Sequence, residues 1–198
     1  MRFRLFIIAF LIVSVTRNVF ADDIKLPPPD KKAEMSLASA VIGRRSSRSF
    51  SEREVDDQTL SNVLWFAYGV TDASGKRTIP TAKNAKDLDI YVFKHDGIWL
   101  YDAENNILKQ KSAEDHMNLF QLQSYMKNVP VVLVYTGSTG DYAATHAGSA
   151  YQNVGLYAAA NNMASIVRGY YDREKLPKVL GLPAGQRVIV SQAVGWKD

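Results

Sequence analysis

Apolar and polar positions follow two rhythms along this chain. Leu60, Val63, Leu64 and Ala67 recur at the i, i+3, i+4, i+7 spacing of one helix face. Asp56 or Asp57 supplies an N-cap for that helix, and Gly69 ends it. Met35, Leu37, Ala38, Val41 and Ile42 make a rougher helical face that stops at Gly43. "LDIYVF" (88–93) and "IWLYD" (98–102) flank Asp96-Gly97 and predict a β-hairpin. Glu114 to Lys127, with Met117, Phe120, Leu122 and Tyr125 among polar residues, reads as a helix. "VPVVLVY" (129–135) is continuously apolar and reads as a strand buried on both faces. Asp141 to Met163 is alanine-rich and fits one long helix, or two with a break near Gly148. "SIVRGYY" (165–171) reads as a short strand or turn. Lys175 to Leu180 reads as a short helix stopped by Gly181 and Pro183, and "RVIVSQAVG" (187–195) as a last strand. Residues 71–88 are polar and irregular, a loop long enough to suggest function.

Strands and helices in this order do not alternate regularly. The pattern predicts an α+β fold with a mixed or antiparallel sheet rather than a doubly wound one. No Gly-x-Gly-x-x-Gly follows a strand and no Walker loop is present, which argues against a Rossmann dinucleotide site and a P-loop ATPase.

The N-terminus changes the reading of charge. Arg2 and Arg4 precede an uncharged run from Leu5 to Val15, and Val19-Phe20-Ala21 ends in a small residue. Residues 1–21 therefore read as a secretory signal peptide cleaved after Ala21, with an uncleaved membrane anchor as the alternative. The apolar run falls short of the roughly 20 residues a spanning helix needs. The whole chain of 198 residues carries 24 basic and 20 acidic side chains. Without the first 21 residues the balance is 21 against 20, so bulk charge gives no support for nucleic-acid binding. Residues 22–32, with Pro27-Pro28-Pro29, read as a proline-rich tether, and residues 33–198 as one domain. There is no cysteine, which excludes disulfides and thiolate chemistry. His95, His116 and His146 lack metal-ligand spacing and read as surface or structural histidines.

Local charge then needs its own explanation. "RRSSRSF" (44–50) gathers three guanidinium groups and three hydroxyls. A solvated basic turn, a nucleic-acid contact and a phosphate cradle all fit that composition. In an extended segment alternate side chains share a side, so Arg44, Ser46 and Arg48 would face one ligand and Arg45 and Ser47 the other way.

Six segments in order resemble one family. "RRSSRSF" resembles the opening Arg-Arg-Ser-x-Arg-x-Phe signature of the FMN-dependent nitroreductases. "LSNVLWFAYGVT" (60–71), "RTIPTAKNAKDLDIYVF" (77–93) and "NVPVVLVYTG" (128–137) are similar to its second helix, its Pro-Ser-Ala-Gly segment and its central strand. "AGSAYQNVGLYAAANNMASIVRGYYDREKLPKVLGLP" (147–183) resembles its long Gln-Asn helix, flavin-contacting turn and short Leu-Gly-Leu-Pro helix. "VIVSQAVGWK" (188–197) is similar to its closing strand. The gap-poor pattern looks closest to the branch that includes azoline dehydrogenases. The Lys-Tyr pair tied to azoline oxidation finds no match, so that activity is not implied.

The resemblance implies a mixed, mainly antiparallel central sheet flanked by helices, in an intertwined homodimer that binds FMN. Arg44 and Ser46 would meet the phosphate and ribityl chain, Arg45 would make a backbone contact, and Arg48 would reach the pyrimidine edge of the flavin. Pro80, Thr81, Ala82 and Asn84 would come from the other subunit, with Lys83 standing where the family has Gly. Gln121 would place an amide on the flavin edge, and Val167, Arg168 and Gly169 would form the turn whose backbone N–H faces flavin N5. Arg168 would add positive charge near the substrate, Lys197 is the sole candidate for a phosphate-site base after the last strand, and Gln152-Asn153 read as structural. No side chain stands out as a catalytic acid or base and no metal site is implied. The expectation is a periplasmic or secreted oxidoreductase, with small-molecule electron donor and acceptor and neither nucleic acid nor membrane as partner. The alternative is a non-catalytic FMN- or phospho-ligand-binding envelope protein.

Overall fold

A computed structural model describes residues 23–32, 35–140 and 142–198. The signal-peptide expectation therefore lies outside the described residues. Among the described residues, seven strands form one sheet: β1 (Ile24–Lys25), β2 (Leu88–Lys94), β3 (Gly97–Asp102), β4 (Ile107–Ser112), β5 (Val131–Ser138), β6 (Met163–Arg168) and β7 (Gln186–Trp196). Their spatial order is β1-β4-β3-β2-β5-β7-β6, and each pairing is antiparallel. The helices are α1 (Leu37–Gly43), α2 (Asp57–Tyr68), α3 (Ala143–Ala160) and α4 (Lys175–Leu180). This is the α+β class expected from the chain.

Strand alternation builds two cores. Val131, Leu133 and Tyr135 of β5 face the core that α2 and α3 cover. Val132 and Val134 face a second core with Phe93, Met117, Phe120 and Leu176. That is why β5 is apolar at every position. Asp56 caps α2 by accepting from Thr59 N–H at 2.7 Å. α3 runs unbroken through Gly148, and Gly181 ends α4 in the left-handed conformation at φ 58°.

Three expectations are corrected. The segment 114–127 is not one helix but two 3-10 turns, Met117–Leu119 and Ser124–Met126. Its carbonyls serve other elements: Leu119 O accepts from Asp172 N–H, and Phe120 O from the Arg168 guanidinium. Those bonds replace the local ladder of a helix. β4 and β1 were not foreseen, because Ile107–Ser112 has two adjacent apolar residues followed by four polar ones, with no alternation to mark a strand, and β1 has two residues. The proline-rich stretch is a strap rather than a tether. Lys25 pairs with Ile107, and Leu26 is buried. Proline lacks a donor but keeps its carbonyl. Pro27 O accepts from Ser61 Oγ at 2.6 Å and Asn106 Nδ2 at 2.9 Å, and Pro28 O from Gln58 Nε2 at 3.0 Å.

Candidate functional site

The arginine cluster begins where α1 stops. Arg44 is the C-cap of α1, with extended backbone at φ −61°, ψ 122°. The chain then runs along the sheet. Ser47 N–H donates to Ser165 O of β6 at 3.0 Å, and Ser51 N–H to Trp196 O at 3.1 Å. Phe50 anchors the far end, buried in the second core. A Cβ on Gly195 would lie 2.8 Å from Pro130 and 3.1 Å from the Phe50 ring, so glycine lets β7 pass beneath that anchor.

Two adjoining recesses open beside the cluster. The larger, about 550 Å3, is lined by Arg45, Ser46, Ser47, Arg48 and Ser49, by Gly155, Ala158 and Ala159 of α3, and by Lys197. The smaller, about 200 Å3, is lined by Arg44, Arg45, Ser46, Gln152, Val167 and Gln192. Ser46 borders both, and among the described residues no carboxylate lines either. The expected face of Arg44, Ser46 and Arg48 is thus divided: Arg48 joins Lys197 in the larger recess, and Arg44 joins Val167 in the smaller. Arg45 folds back, and its Nη1 donates to Ile42 O at 2.7 Å and Arg44 O at 2.8 Å. It closes the end of α1 while its side chain borders both recesses. The aliphatic stem of Arg44 crosses Gly155, where a Cβ would meet Arg44 Cδ at 3.2 Å. Guanidinium, ammonium and hydroxyl donors around small residues suit a multiply charged oxyanion.

β6 forms the neighbouring wall. It is an edge strand, and Ser165 O already faces outward to Ser47 N–H. Alternation puts the backbone N–H of Val167 on that same open edge. The Val167 side chain is partly exposed. Arg168 points the other way, into the second core beside the 117–126 turns, and is 5 % exposed. Its Nη1 donates to Phe120 O at 3.1 Å, Nη2 to Gln123 Oε1 at 2.8 Å and Nε to Tyr125 Oη at 3.1 Å. The sheet stands between this guanidinium and the recesses, which corrects the expectation that its charge lies beside the ligand. Gly169 O accepts from Arg173 Nη2 at 3.1 Å. Gln121 does not line either recess.

Pro80, Thr81, Ala82 and Asn84 are likewise apart from the recesses within one chain. Ala82 N–H bonds to His146 Nε2 at 2.8 Å, near the start of α3. Gly155 lies nine residues further along, roughly 13 Å at the helical rise. Lys83 has φ 54° and Asn84 φ 53°. That left-handed backbone is the conformation glycine favours, which explains why Gly suits the position Lys83 occupies. Asn153 Nδ2 donates to Phe66 O at 3.1 Å and so ties α3 to α2, as its structural reading requires. The His146–Asp87 pair behind the loop was missed. Its signal was an isolated histidine on an otherwise uncharged helix.

The antiparallel sheet, the helices on its faces and the basic cleft at the edge strand define an α+β protein whose cleft carries donors of the kind that suit an anion. The chain belongs to the nitroreductase family, whose model matches residues 41–196. It is thereby a member of a family of oxidoreductases. A protein of Methanocaldococcus jannaschii, provisionally named a nitroreductase, is 29 % identical over 196 residues, covering 84 % of this chain and 98 % of that protein. A solved structure from Ralstonia eutropha, also provisionally named a nitroreductase, superposes with a TM-score of 0.82 at 29 % identity, covering 89 % of this chain and 90 % of that one. An FMN-dependent nitroreductase of Clostridium difficile shares the fold, with TM-score 0.57 at 18 % identity over 81 % of this chain and 87 % of its own.

Proposed function

We propose that the protein is an exported FMN-dependent oxidoreductase acting as a homodimer, which passes electrons between a small-molecule donor and a small organic acceptor such as a nitro compound or quinone. The observation that carries this reading is the recess lined by Ser46, Arg48, Gly155 and Lys197, with no carboxylate among its described lining residues. Ser46 and Lys197 there, with Arg44 of the adjoining recess, suit a phosphate monoester, which carries nearly two negative charges at neutral pH. When bound, FMN supplies hydride and electron transfer at its N5. The chain supplies binding and orientation. Arg44, Ser46 and Lys197 hold the phosphate and ribityl end, and Arg48 faces the pyrimidine edge, where a cation favours the anionic reduced ring. The outward N–H of Val167 is the donor best placed on the β6 edge to face N5.

The 80–84 loop is read as the partner subunit's contribution, because it stands well away from the recesses of its own chain. The dimer reading is supported by α1, whose Leu37 and Ile42 are each 72 % exposed and Val41 52 %. Export rests on the sequence of residues 1–21. The test is FMN titration of the purified protein and of Arg48→Ala. Loss of one charge-assisted contact, about 1.5–3 kcal/mol, weakens binding by roughly 10- to 100-fold. Equal affinity in both proteins contradicts the placement of Arg48.

A further inference from the structure

His146 sits on the first turns of α3, 2 % exposed. Its Nδ1 lies 2.6 Å from Asp87 Oδ1 and its Nε2 2.8 Å from Ala82 N. A backbone N–H can only donate, so Nε2 must be the accepting nitrogen. The ring proton then lies on Nδ1, aimed at the carboxylate. Among the described residues, the other hydrogen bonds of the 80–85 backbone stay inside the loop: Asn84 N–H to Thr81 O, Ala85 N–H to Ala82 O, and Asp87 N–H to Ala85 O. The same loop holds Lys83 and Asn84 in consecutive left-handed conformations. A turn of that kind persists only where its surroundings hold it.

We propose that His146 is a positioning residue: oriented by Asp87, it pins the 80–84 loop through the Ala82 N–H, and its protonation releases that loop. The imidazolium carries a proton on Nε2 and would set one donor against another. Near the Asp87 end of the pair, the Tyr68 phenol feels both the Asp87 carboxylate and the Arg77 guanidinium, which lies 4.8 Å from its ring. Asp87 is the partner on the way into β2, and Tyr142 stacks on the imidazole at 6.4 Å between centroids. The Lys83 ammonium lies beyond, 5.5 Å from the Tyr142 ring. α1, β5 and the rest of α3 carry no acidic or basic side chain. Asp57 lies at the far start of α2, Asp89 of β2 and Arg168 of β6 point to the opposite face of the sheet, and Arg187 of β7 is exposed. The importance of the loop to flavin rests on the proposed function, but the latch does not.

The test is hydrogen exchange on the purified full chain without FMN, from about pH 7.5 to about pH 5, with nitrogen NMR of the imidazole. At the upper pH the NMR shows the Nδ1–H tautomer. On acidification the protection factors of residues 82–85 fall by about tenfold or more. His146→Gln keeps a carbonyl acceptor at every pH, so its loop protection stays flat. The proposal is overturned by the Nε2–H tautomer, by wild-type protection that ignores pH, or by an equal fall in the variant. If His146→Gln does not fold, the wild-type tautomer and pH series still decide. Adding FMN separates the two readings: a working latch with no FMN binding upholds the latch and removes the flavin function.

Discussion

Replacing Arg168 with leucine removes a guanidinium that the sheet screens from the cofactor recesses. The side chain is 5 % exposed and makes three hydrogen bonds to neutral oxygens, on Phe120, Gln123 and Tyr125. Phe120 is fully buried, so its carbonyl loses its donor without gaining water, at about 1–3 kcal/mol. Gln123 is exposed and recovers its bond from solvent. Leucine also spares the fold the desolvation of a charge, which offsets part of the loss. The net destabilisation is about 2 kcal/mol, within the roughly 5–15 kcal/mol that a domain has to lose. Urea unfolding measures that difference, and FMN titration of the folded variant gives an affinity within about twofold of the wild type. Unchanged stability with an FMN affinity about tenfold weaker would refute this placement and return the charge to the flavin.

Other perturbations probe the recess, the strained loop and the acid limb of stability. Gly155→Ala gains up to about 1 kcal/mol of helix propensity. It also pushes against the Arg44 stem, so thermal melting holds or rises while FMN affinity falls. Lys83→Gly relieves a left-handed residue costing about 1–2 kcal/mol, against about 0.4–1 kcal/mol of added freedom in the unfolded chain. The melting temperature rises modestly. Burial alone would raise the Asp102 carboxyl from 3.8, but Lys109 Nζ at 2.6 Å and the Asn105 side chain and backbone hold it down at about 2. A depressed carboxyl stabilises above its unfolded value, and that contribution is lost as pH falls through the folded one. Urea midpoints of Asp102→Asn therefore fall less steeply than the wild type's below about pH 5.

Much of the fold was legible because its signals are local. The α2 face with Asp56 and Gly69, the 88–102 hairpin (its turn at His95-Asp96, one residue before the expected Asp96-Gly97) and the doubly buried β5 each announce themselves within a dozen residues. The 114–127 segment misled because Met117, Phe120, Leu122 and Tyr125 mimic a helical face while the Leu119 and Phe120 carbonyls are recruited by Asp172 and Arg168. Such tertiary bonds leave no periodic trace. The strap at 23–32 hid for a similar reason, since proline carbonyls gain partners only from α2 and Asn106. At the site, "RRSSRSF" showed the donors but not their division between two recesses. That division follows from Arg44 crossing Gly155, a contact more than a hundred residues apart in sequence. The role of Arg168 was misjudged because strand parity, which sends Val167 outward and Arg168 inward, depends on where β6 meets Ser47.

The most direct test of the central claim is an absorbance spectrum of the purified protein in the near-UV and blue, before and after FMN is added and free flavin removed. The account predicts the two-banded absorption of bound oxidised flavin, bleached by a reductant and restored by a quinone or nitro acceptor. A protein that shows no flavin bands and retains none of the added FMN would contradict it.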